Sequence, residues 1–247
     1  MAILITGKNK PLSIELKKLL SNTLCPDSNE IDLTSKNDVE NYLSNNDIDT
    51  IIHVDALHSI KNCDNDKVLA MQINFNNTKN LVDAIKKHPE IKFILISTPC
   101  VFNGKDGMFL ENSIPSPVNF YGSTKLLAEK EVETLTNYLI IRTNYVARKP
   151  WSYPEAFTDR FSTYLFADQV AKAIVELLSE NFNGILHITG DKKISMFDLA
   201  KITTSDVKPI TMVDYSGPAL NVDMSLDSKR WKKYSISYDP RSCDGIK

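Results

Sequence analysis

Short apolar runs alternate with amphipathic stretches along the 247 residues of the chain. The apolar runs predict buried strands at residues 2–6, 49–54, 91–98, 138–143 and 184–190. Between them, helical spacing of apolar residues predicts helices after residue 11, over 36–43, 68–86 and 166–178, from Phe120 and after Ser195. Strands that are apolar throughout and alternate with helices predict a parallel sheet that is covered on both faces.

Composition narrows the class of protein. A net charge of −2 gives no reason to expect a nucleic-acid or membrane partner, and no apolar run approaches the roughly 20 residues of a membrane span. The first residues lack a basic segment and a long apolar segment, so no signal peptide is expected. The cysteines show no CxxC spacing and the four histidines show no ligand spacing, which predicts a reduced, cytoplasmic protein without a metal site. The cysteines are Cys25, Cys63, Cys100 and Cys243.

Tyr121 and Lys125 are the main candidates for chemistry. They lie four residues apart, and hence on one face of the helix that begins near Phe120. A lysine ammonium beside a phenol favours the phenolate, so the pair can exchange a proton near neutral pH. An ordinary surface pair is the alternative, because this spacing recurs often. The preceding strand ends in Ser97 and Thr98, which point to opposite faces of the sheet.

These motifs resemble a known family. A hydroxyl at a strand end, followed by Tyr-x-x-x-Lys opening a helix, resembles the extended short-chain dehydrogenase/reductase superfamily. More narrowly, the chain resembles the dTDP-4-dehydrorhamnose reductase family across nearly its whole length. The likeness is carried by Ser97-Thr98…Val101-Phe102, then Glu111…Pro115-x-Pro117-x-Asn119-x-Tyr121-Gly…Lys125, then Ile140-Ile-Arg-Thr143.

The resemblance implies an α/β fold, namely a Rossmann-like doubly wound parallel sheet with a small C-terminal α/β substrate lobe. We place the NAD(P)-binding domain at residues 1–145 and expect helix 166–179 to return to it. Residues 146–165 and 180–247 then form the lobe. Right-handed crossovers would bring the turn after the first strand, Thr98 and the Tyr121 helix to one edge of the sheet.

The resemblance also implies an activity. Tyr121 would be the general acid toward a keto oxygen, and Thr98 would donate a hydrogen bond to that oxygen. Lys125 would lower the pKa of the phenol and hold the nicotinamide ribose. The implied reaction is NADPH- or NADH-dependent reduction of a nucleotide-activated 4-keto-6-deoxy sugar, and the family members often form homodimers.

The residues that the resemblance places at the cofactor include two unusual ones. The set is Gly7, Lys10, Leu12, Asp32, Asp55, Ala56, Asn74, Tyr121 and Lys125. Lys10 replaces the glycine that lets the backbone approach a pyrophosphate, and Asp55 replaces an alanine. Lys10 either swings outward and neutralises phosphate charge, or the loop no longer binds a cofactor. Asp32 otherwise lies in the capping region of helix 36–43, and Asn74 otherwise makes a structural hydrogen bond.

The substrate side of the site also departs from the family. The resemblance assigns substrate contacts to Val101, Phe102, Asn144, Arg148 and Trp151. Arg148 and Trp151 equally suit packing of a lid. Pro99 and Cys100 follow Thr98 where the family has aspartate and tyrosine.

Two rival functions remain open from the sequence. A non-catalytic relative could keep the fold as a binding subunit, as in the regulatory subunit of methionine adenosyltransferase. A sugar-nucleotide epimerase or dehydratase is the other alternative. The intact Thr98, Tyr121 and Lys125 favour an enzyme, whereas a chain with only eight glycines and a glycine-poor first loop favours the binding protein.

Overall fold

The computed structural model describes residues 2–236. Its strands are β1 (Ala2–Thr6), β2 (Thr23–Leu24), β3 (Ile48–His53), β4 (Lys92–Ser97), β5 (Tyr138–Arg142), β6 (Tyr145–Val146), β7 (Glu155–Phe157), β8 (Phe161–Ser162), β9 (Leu165–Phe166), β10 (Gly184–His187), β11 (Ile194–Ser195) and β12 (Lys208–Ile210). Its α-helices are α1 (Pro11–Leu19), α2 (Lys36–Asn45), α3 (Ile60–Asn65), α4 (Lys67–Met71), α5 (Asn77–Ile85), α6 (Phe120–Val132), α7 (Ala167–Leu178) and α8 (Met196–Thr203).

A six-stranded parallel sheet of order β10-β5-β4-β3-β1-β2 forms the centre of the molecule. Successive residues of each strand enter opposite hydrophobic clusters. In β4, Phe93 and Leu95 pack on one face with α2, α5 and α6, while Ile94 and Ile96 pack on the other with α1 and α7. Because both faces are buried, the strands are apolar throughout. The prediction of a Rossmann-like α/β fold is confirmed.

The position of the site follows from the strand order. The chain order reverses between β1 and β3, and in open parallel sheets ligands bind outside the carboxyl ends of the strands at such a reversal. Gly7 follows β1, and Asp55 follows β3. The connection after β4 and the start of α6 lie at the same edge, since β4 is the next strand of the sheet.

The smaller elements pack beyond this edge. β7 pairs with β12, β8 pairs with β11, and α8 packs against β7 over a small core that contains Ala156, Ala200 and Val207. The sequence analysis places residues 184–187 in the lobe, whereas the structure pairs them, as β10, with β5 of the main sheet. A continuous apolar strand suits the main sheet as well as the lobe, so the hydrophobic pattern of these residues does not show to which of the two they belong. The other domain boundaries stay a prediction, and residues 237–247 of the lobe lie outside the described residues.

Within the described part of the chain, no helix combines the length and the apolar character that crossing a bilayer requires.

Candidate active site

The start of α6 brings Tyr121 to the end of β4. The Asn119 side chain caps the helix by accepting the Gly122 N–H at 2.9 Å. A Cβ atom at Gly122 would overlap the Cys100 carbonyl oxygen, so only glycine lets the helix approach the turn Pro99–Val101 this closely. The Thr98 hydroxyl accepts the Cys100 N–H at 3.2 Å in that turn. Tyr121 and Thr98 therefore lie beside each other.

Tyr121 is a neutral phenol in this structure. Its side chain is 9% exposed, and burial raises its pKa above the usual 10, with Cys100 adding to the rise and the Thr98 hydroxyl opposing it. The expectation that the neighbouring lysine keeps the pKa of this phenol low is wrong for the protein alone, because burial is the larger effect. A neutral phenol at neutral pH is a proton donor, as a general acid must be.

Lys125 is the group that titrates near neutrality. It is 2% exposed, and its Nζ donates a hydrogen bond to the Ile96 carbonyl oxygen at 2.9 Å. Burial lowers its pKa to about 8, and the carboxylates of Glu129 and Asp55 partly offset that shift. Lys125 can thus lose and regain a proton close to physiological pH.

A buried ion pair supports the helix that carries Lys125. Arg142 Nη2 and Glu129 Oε2 lie 2.7 Å apart, and their side chains are 2% and 0% exposed. The Ser97 hydroxyl donates to the same carboxylate, so Ser97 faces away from Thr98 as the strand pattern predicts. Arg142 belongs to the Ile140-Ile-Arg-Thr143 motif, but the sequence assigned no role to it or to Glu129. The available signal was a charged residue ending the otherwise apolar β5.

The turn after β1 forms the candidate pyrophosphate cradle. Gly7 has φ +74°, and an added Cβ would lie 3.0 Å from both Asp55 Cα and Lys10 Cγ. α1 begins at Pro11, and no side chain caps it at Lys10, so its first N–H groups keep their capacity to bind an anion. These residues fit a dinucleotide pyrophosphate, although they carry one carboxylate.

Lys10 and Asp55, the two departures from the family pattern, contact each other. The Lys10 ammonium donates to the Ala56 carbonyl oxygen at 2.8 Å and lies 3.5 Å from Asp55 Oδ1. Neither of the two alternatives that the sequence left open for Lys10 included this ion pair. The ammonium stays at the cradle, where it offsets the charge of Asp55.

The remaining cofactor candidates have different surroundings. The Leu12 side chain is fully buried in the hydrophobic core, so only its main chain can contribute to the cradle. Asp32 accepts hydrogen bonds from the N–H and the hydroxyl of Thr34, and Ser35 is the residue that caps α2. Asp32 therefore lies ahead of the cap, in a surface turn.

Asn74 joins two parts of the site. It lies in a π-helical turn, Gln72–Asn76, between α4 and α5, a distortion that often marks functional positions. Its amide group donates to Thr124 Oγ1 of α6 at 3.0 Å and exchanges hydrogen bonds with the main chain of Leu57. The side chain of Asn74 thus makes the structural hydrogen bonds that were the alternative to a cofactor contact.

His53 belongs to the same buried layer and was not singled out from the sequence. The Thr6 hydroxyl accepts the Asp55 N–H and lies 2.7 Å from His53 Nδ1. The Thr78 hydroxyl, which donates to the Asn74 carbonyl oxygen, lies 3.0 Å from His53 Nε2. Full burial lowers the pKa of His53 to about 3, so the ring is neutral and ties the cofactor turn to the π-helical turn.

Two of the five predicted substrate residues lie in the hydrophobic core. Val101 and Phe102 are fully buried with Phe109 and Leu226, and Phe102 stacks on Phe109 at a centroid distance of 4.4 Å. Their side chains fill the interior beneath the turn, so only their main chains can contribute to the predicted substrate contact. The assignment came from the family resemblance, which does not state which way a side chain at the strand end faces.

The other three make contacts within the protein. Asn144 Nδ2 donates to Ser162 Oγ at 3.0 Å. Arg148 pairs with Asp168 at 3.0 Å and covers the Phe166 ring. Trp151 packs on the small core beside α8, and its indole N–H donates to the Glu155 carbonyl oxygen. These contacts agree with the packing alternative for Arg148 and Trp151, and their role at a substrate stays a prediction.

Comparison with known proteins identifies the family. The model of the RmlD substrate binding domain matches residues 1–161. The chain is 28% identical to the probable low-salt glycan biosynthesis reductase Agl14 of Haloferax volcanii, covering 72% of this chain and 65% of that protein. It is 26% identical to a dTDP-4-dehydrorhamnose reductase of Aggregatibacter actinomycetemcomitans, covering 80% and 76%. It is also 25% identical to the methionine adenosyltransferase 2 subunit beta of Pongo abelii, covering 84% and 74%.

Solved structures share the fold. A hypothetical dTDP-4-dehydrorhamnose reductase of Sulfolobus tokodaii superposes with a TM-score of 0.83 at 29% identity, covering 97% of this chain and 98% of that one. The enzyme of Bacillus anthracis in complex with NADP superposes with a TM-score of 0.88 at 20% identity, covering 96% of each. Since the family model covers more than half of the sequence, the chain belongs to the RmlD substrate binding domain family.

Proposed function

We propose that the protein is an NAD(P)H-dependent oxidoreductase that reduces a nucleotide-activated 4-keto-6-deoxy sugar, as dTDP-4-dehydrorhamnose reductases do. The observation that carries this proposal is the convergence of Thr98, a neutral Tyr121 and a Lys125 of pKa about 8 at the carboxyl edge of the sheet. Relatives that are named reductases support the same reaction class.

The proposed mechanism assigns one task to each side chain. A bound nicotinamide would supply the hydride. Tyr121 donates its phenolic proton to the keto oxygen, and the Thr98 hydroxyl donates a second hydrogen bond that holds that oxygen in place. Lys125 stabilises the phenolate that forms, because an ammonium beside it favours the charged form, and its pKa of about 8 lets it return a proton from solvent.

The remaining assignments concern binding. A dinucleotide pyrophosphate would be held by Gly7, the main chain at Leu12, the Lys10 ammonium and Ala56, and Asp32 would contact the adenosine end. The first domain, 1–145 with helix 166–179, binds the cofactor, and the lobe binds the sugar nucleotide beside Asn144. The uncapped amides of α1 support this placement.

Calorimetry with NADPH and NADH, followed by an assay of dTDP-4-keto-6-deoxy sugar reduction, tests the proposal. Tyr121→Phe is expected to bind cofactor as tightly as wild type and to lose about 100-fold or more in kcat. Tyr42→Phe, which removes a hydroxyl from α2, is the matched control and is expected to keep full activity. Turnover by Tyr121→Phe at the wild-type rate would refute the assignment.

A non-catalytic binding protein is the second candidate function. The carboxylate of Asp55 at the cradle and the likeness to a methionine adenosyltransferase regulatory subunit favour it. The same calorimetry separates the two candidates. If wild type binds neither cofactor and Lys10→Gly binds one, the loop has lost its function and the binding-protein candidate stands.

We further propose that the protein acts in the cytoplasm as a homodimer. Free thiols at Cys25, Cys63 and Cys100 support a reducing compartment. Light scattering during size-exclusion chromatography measures the mass in solution, and a mass of one chain at micromolar concentration would refute the dimer. Localisation of a fluorescent fusion tests the compartment.

A further inference from the structure

Arg160 is a buried cation without a carboxylate partner among residues 2–236. It lies in the connection between β7 and β8 and is 8% exposed. Its Nε donates to the Asn221 carbonyl oxygen at 2.9 Å, and its Nη2 lies 3.5 Å from Met224 Sδ, a weak acceptor. Nη1 makes no hydrogen bond to any described residue. Withdrawing a guanidinium from water without a counter-charge is costly, so this position requires an explanation.

Tyr164 supplies a second buried group without a partner. It is 2% exposed, and its hydroxyl has no hydrogen-bond partner within the described part of the chain. Burial raises its pKa to about 12, and the Arg160 guanidinium opposes this rise, so the two groups lie within each other's field. The arginines of the neighbouring site differ, since Arg142 and Arg148 are paired with Glu129 and Asp168.

Both groups lie next to the candidate active site. Met224 Sδ, which contacts Arg160, is also 3.7 Å from Cys100 Sγ. Met224, Cys100 and Tyr121 form one buried cluster, so a single side chain separates Arg160 from the wall that Tyr121 helps to form. The carboxylate of Asp223, in the same segment as Met224, is already paired with Lys193.

We propose that Arg160 and the Tyr164 hydroxyl bind an anionic oxygen group of the substrate. The chemistry fits a phosphate of the nucleotide, because a guanidinium presents several N–H donors in one plane to its oxygens. A sugar carboxylate has the same acceptor geometry, but a 6-deoxy sugar carries none at C6, so it is the alternative source that the test must exclude. The tyrosine adds a neutral O–H donor. This inference rests on the proposed reductase function, for which it completes the sugar-nucleotide site beside Tyr121.

Calorimetry on the full chain with dTDP, thymidine and glucuronate distinguishes the two sources of the anion. Arg160→Met is expected to weaken dTDP binding about 10- to 100-fold, the loss of hydrogen bonds to a charged group, while thymidine binding stays unchanged. The same loss for glucuronate instead of dTDP would overturn the phosphate assignment, because it would assign the site to a carboxylate that a 6-deoxy sugar lacks. Lys208→Gln removes an exposed charge from the lobe and is the matched control.

A thermal unfolding measurement separates binding from a structural role. Because the charge is uncompensated, Arg160→Met is expected to keep or raise the Tm of the ligand-free protein. Tyr164→Phe removes only the hydroxyl and is expected to weaken binding of the same ligand by a smaller factor. If Arg160→Met lowers the Tm and leaves binding of all three probes unchanged, the inference is overturned.

The two proposals fail in different ways. If wild type binds dTDP through Arg160 but reduces no keto sugar, the anion-site proposal stands and the reductase proposal is refuted. If both Arg160→Met and Tyr164→Phe reduce a dTDP-4-keto sugar with an unchanged KM, the reductase proposal stands and the anion-site proposal is refuted.

Discussion

Removing the charge of Asp55 is expected to tighten cofactor binding. The Lys10 ammonium and the Asp55 carboxylate are 3.5 Å apart, and their side chains are 31% and 28% exposed. Coulomb's law gives about 5 kcal/mol for this distance at an effective dielectric constant of 20 and about 1 kcal/mol at that of water. Because both groups contact solvent, the lower value applies, in the range measured for surface ion pairs.

Asp55→Asn keeps the shape of the side chain and removes its charge. The Lys10 ammonium can then pair with a pyrophosphate, and that pyrophosphate is no longer repelled by a carboxylate at residue 55. A gain of about 1 kcal/mol lowers the Kd for NADPH or NADH about fivefold. Lys10→Met is expected to raise the Kd by a similar factor, since it removes the cation and leaves the carboxylate.

Isothermal titration calorimetry of wild type, Asp55→Asn, Lys10→Met and the double variant measures these effects. Both single effects are electrostatic, so raising the salt from about 50 mM to about 500 mM should shrink them. Asp64→Asn removes an exposed carboxylate from α3 and is the control. The reasoning is refuted if Asp55→Asn leaves the Kd unchanged at low salt, or if Lys10→Gly tightens binding, which would mean that the lysine obstructs the cradle.

Three further predictions concern stability. The pKa of Lys125 falls from 10.5 to about 8 on folding, so the unfolded chain binds more protons between these values. The free energy of unfolding of wild type should therefore rise relative to Lys125→Met by about 1 kcal/mol from pH 8 to pH 9 in urea unfolding, and equal slopes would contradict this. The pKa of His53 falls from 6.5 to about 3 on folding, so the unfolded chain binds more protons in acid. The free energy of unfolding of wild type should therefore fall by about 2 kcal/mol from pH 6.5 to pH 5 in urea unfolding, and His53→Gln should lack this loss. Glu129→Gln leaves Arg142 buried and unpaired and should cost about 3–5 kcal/mol, seen as a lower Tm, whereas Glu133→Gln in an exposed pair should cost under about 1 kcal/mol.

Periodicity along the chain was sufficient to predict the strands of the main sheet and the helix that carries Tyr121. The apolar residues of β4 alternate between two helical layers, which is why a continuous apolar run suits a strand covered on both faces. The position of α6 follows from a local rule, since Asn119 caps the helix and places Tyr121 and Lys125 one turn apart. Such rules involve neighbours in sequence, and they hold whatever the rest of the chain does.

Contacts between distant segments were not predicted, because no local rule governs them. Lys10 meets the main chain at Ala56 across 46 positions, and Glu129 meets Arg142 across 13. The same is true of Val101 and Phe102, whose motif suggested a substrate contact but whose side chains fill the core. The identity of a charged residue does not reveal its partner, which is chosen when the strands and helices pack.

The protonation of the site shows most clearly which properties follow from the sequence and which follow from packing. The sequence alone was enough to predict which residues carry the chemistry, namely a hydroxyl, a phenol and an ammonium at spacings that a strand end and a helix turn dictate. The raised pKa of the phenol and the lowered pKa of the lysine arise from packing and could not be predicted from the sequence. The physical reason is desolvation, which depends on how completely the packed elements exclude water from each group.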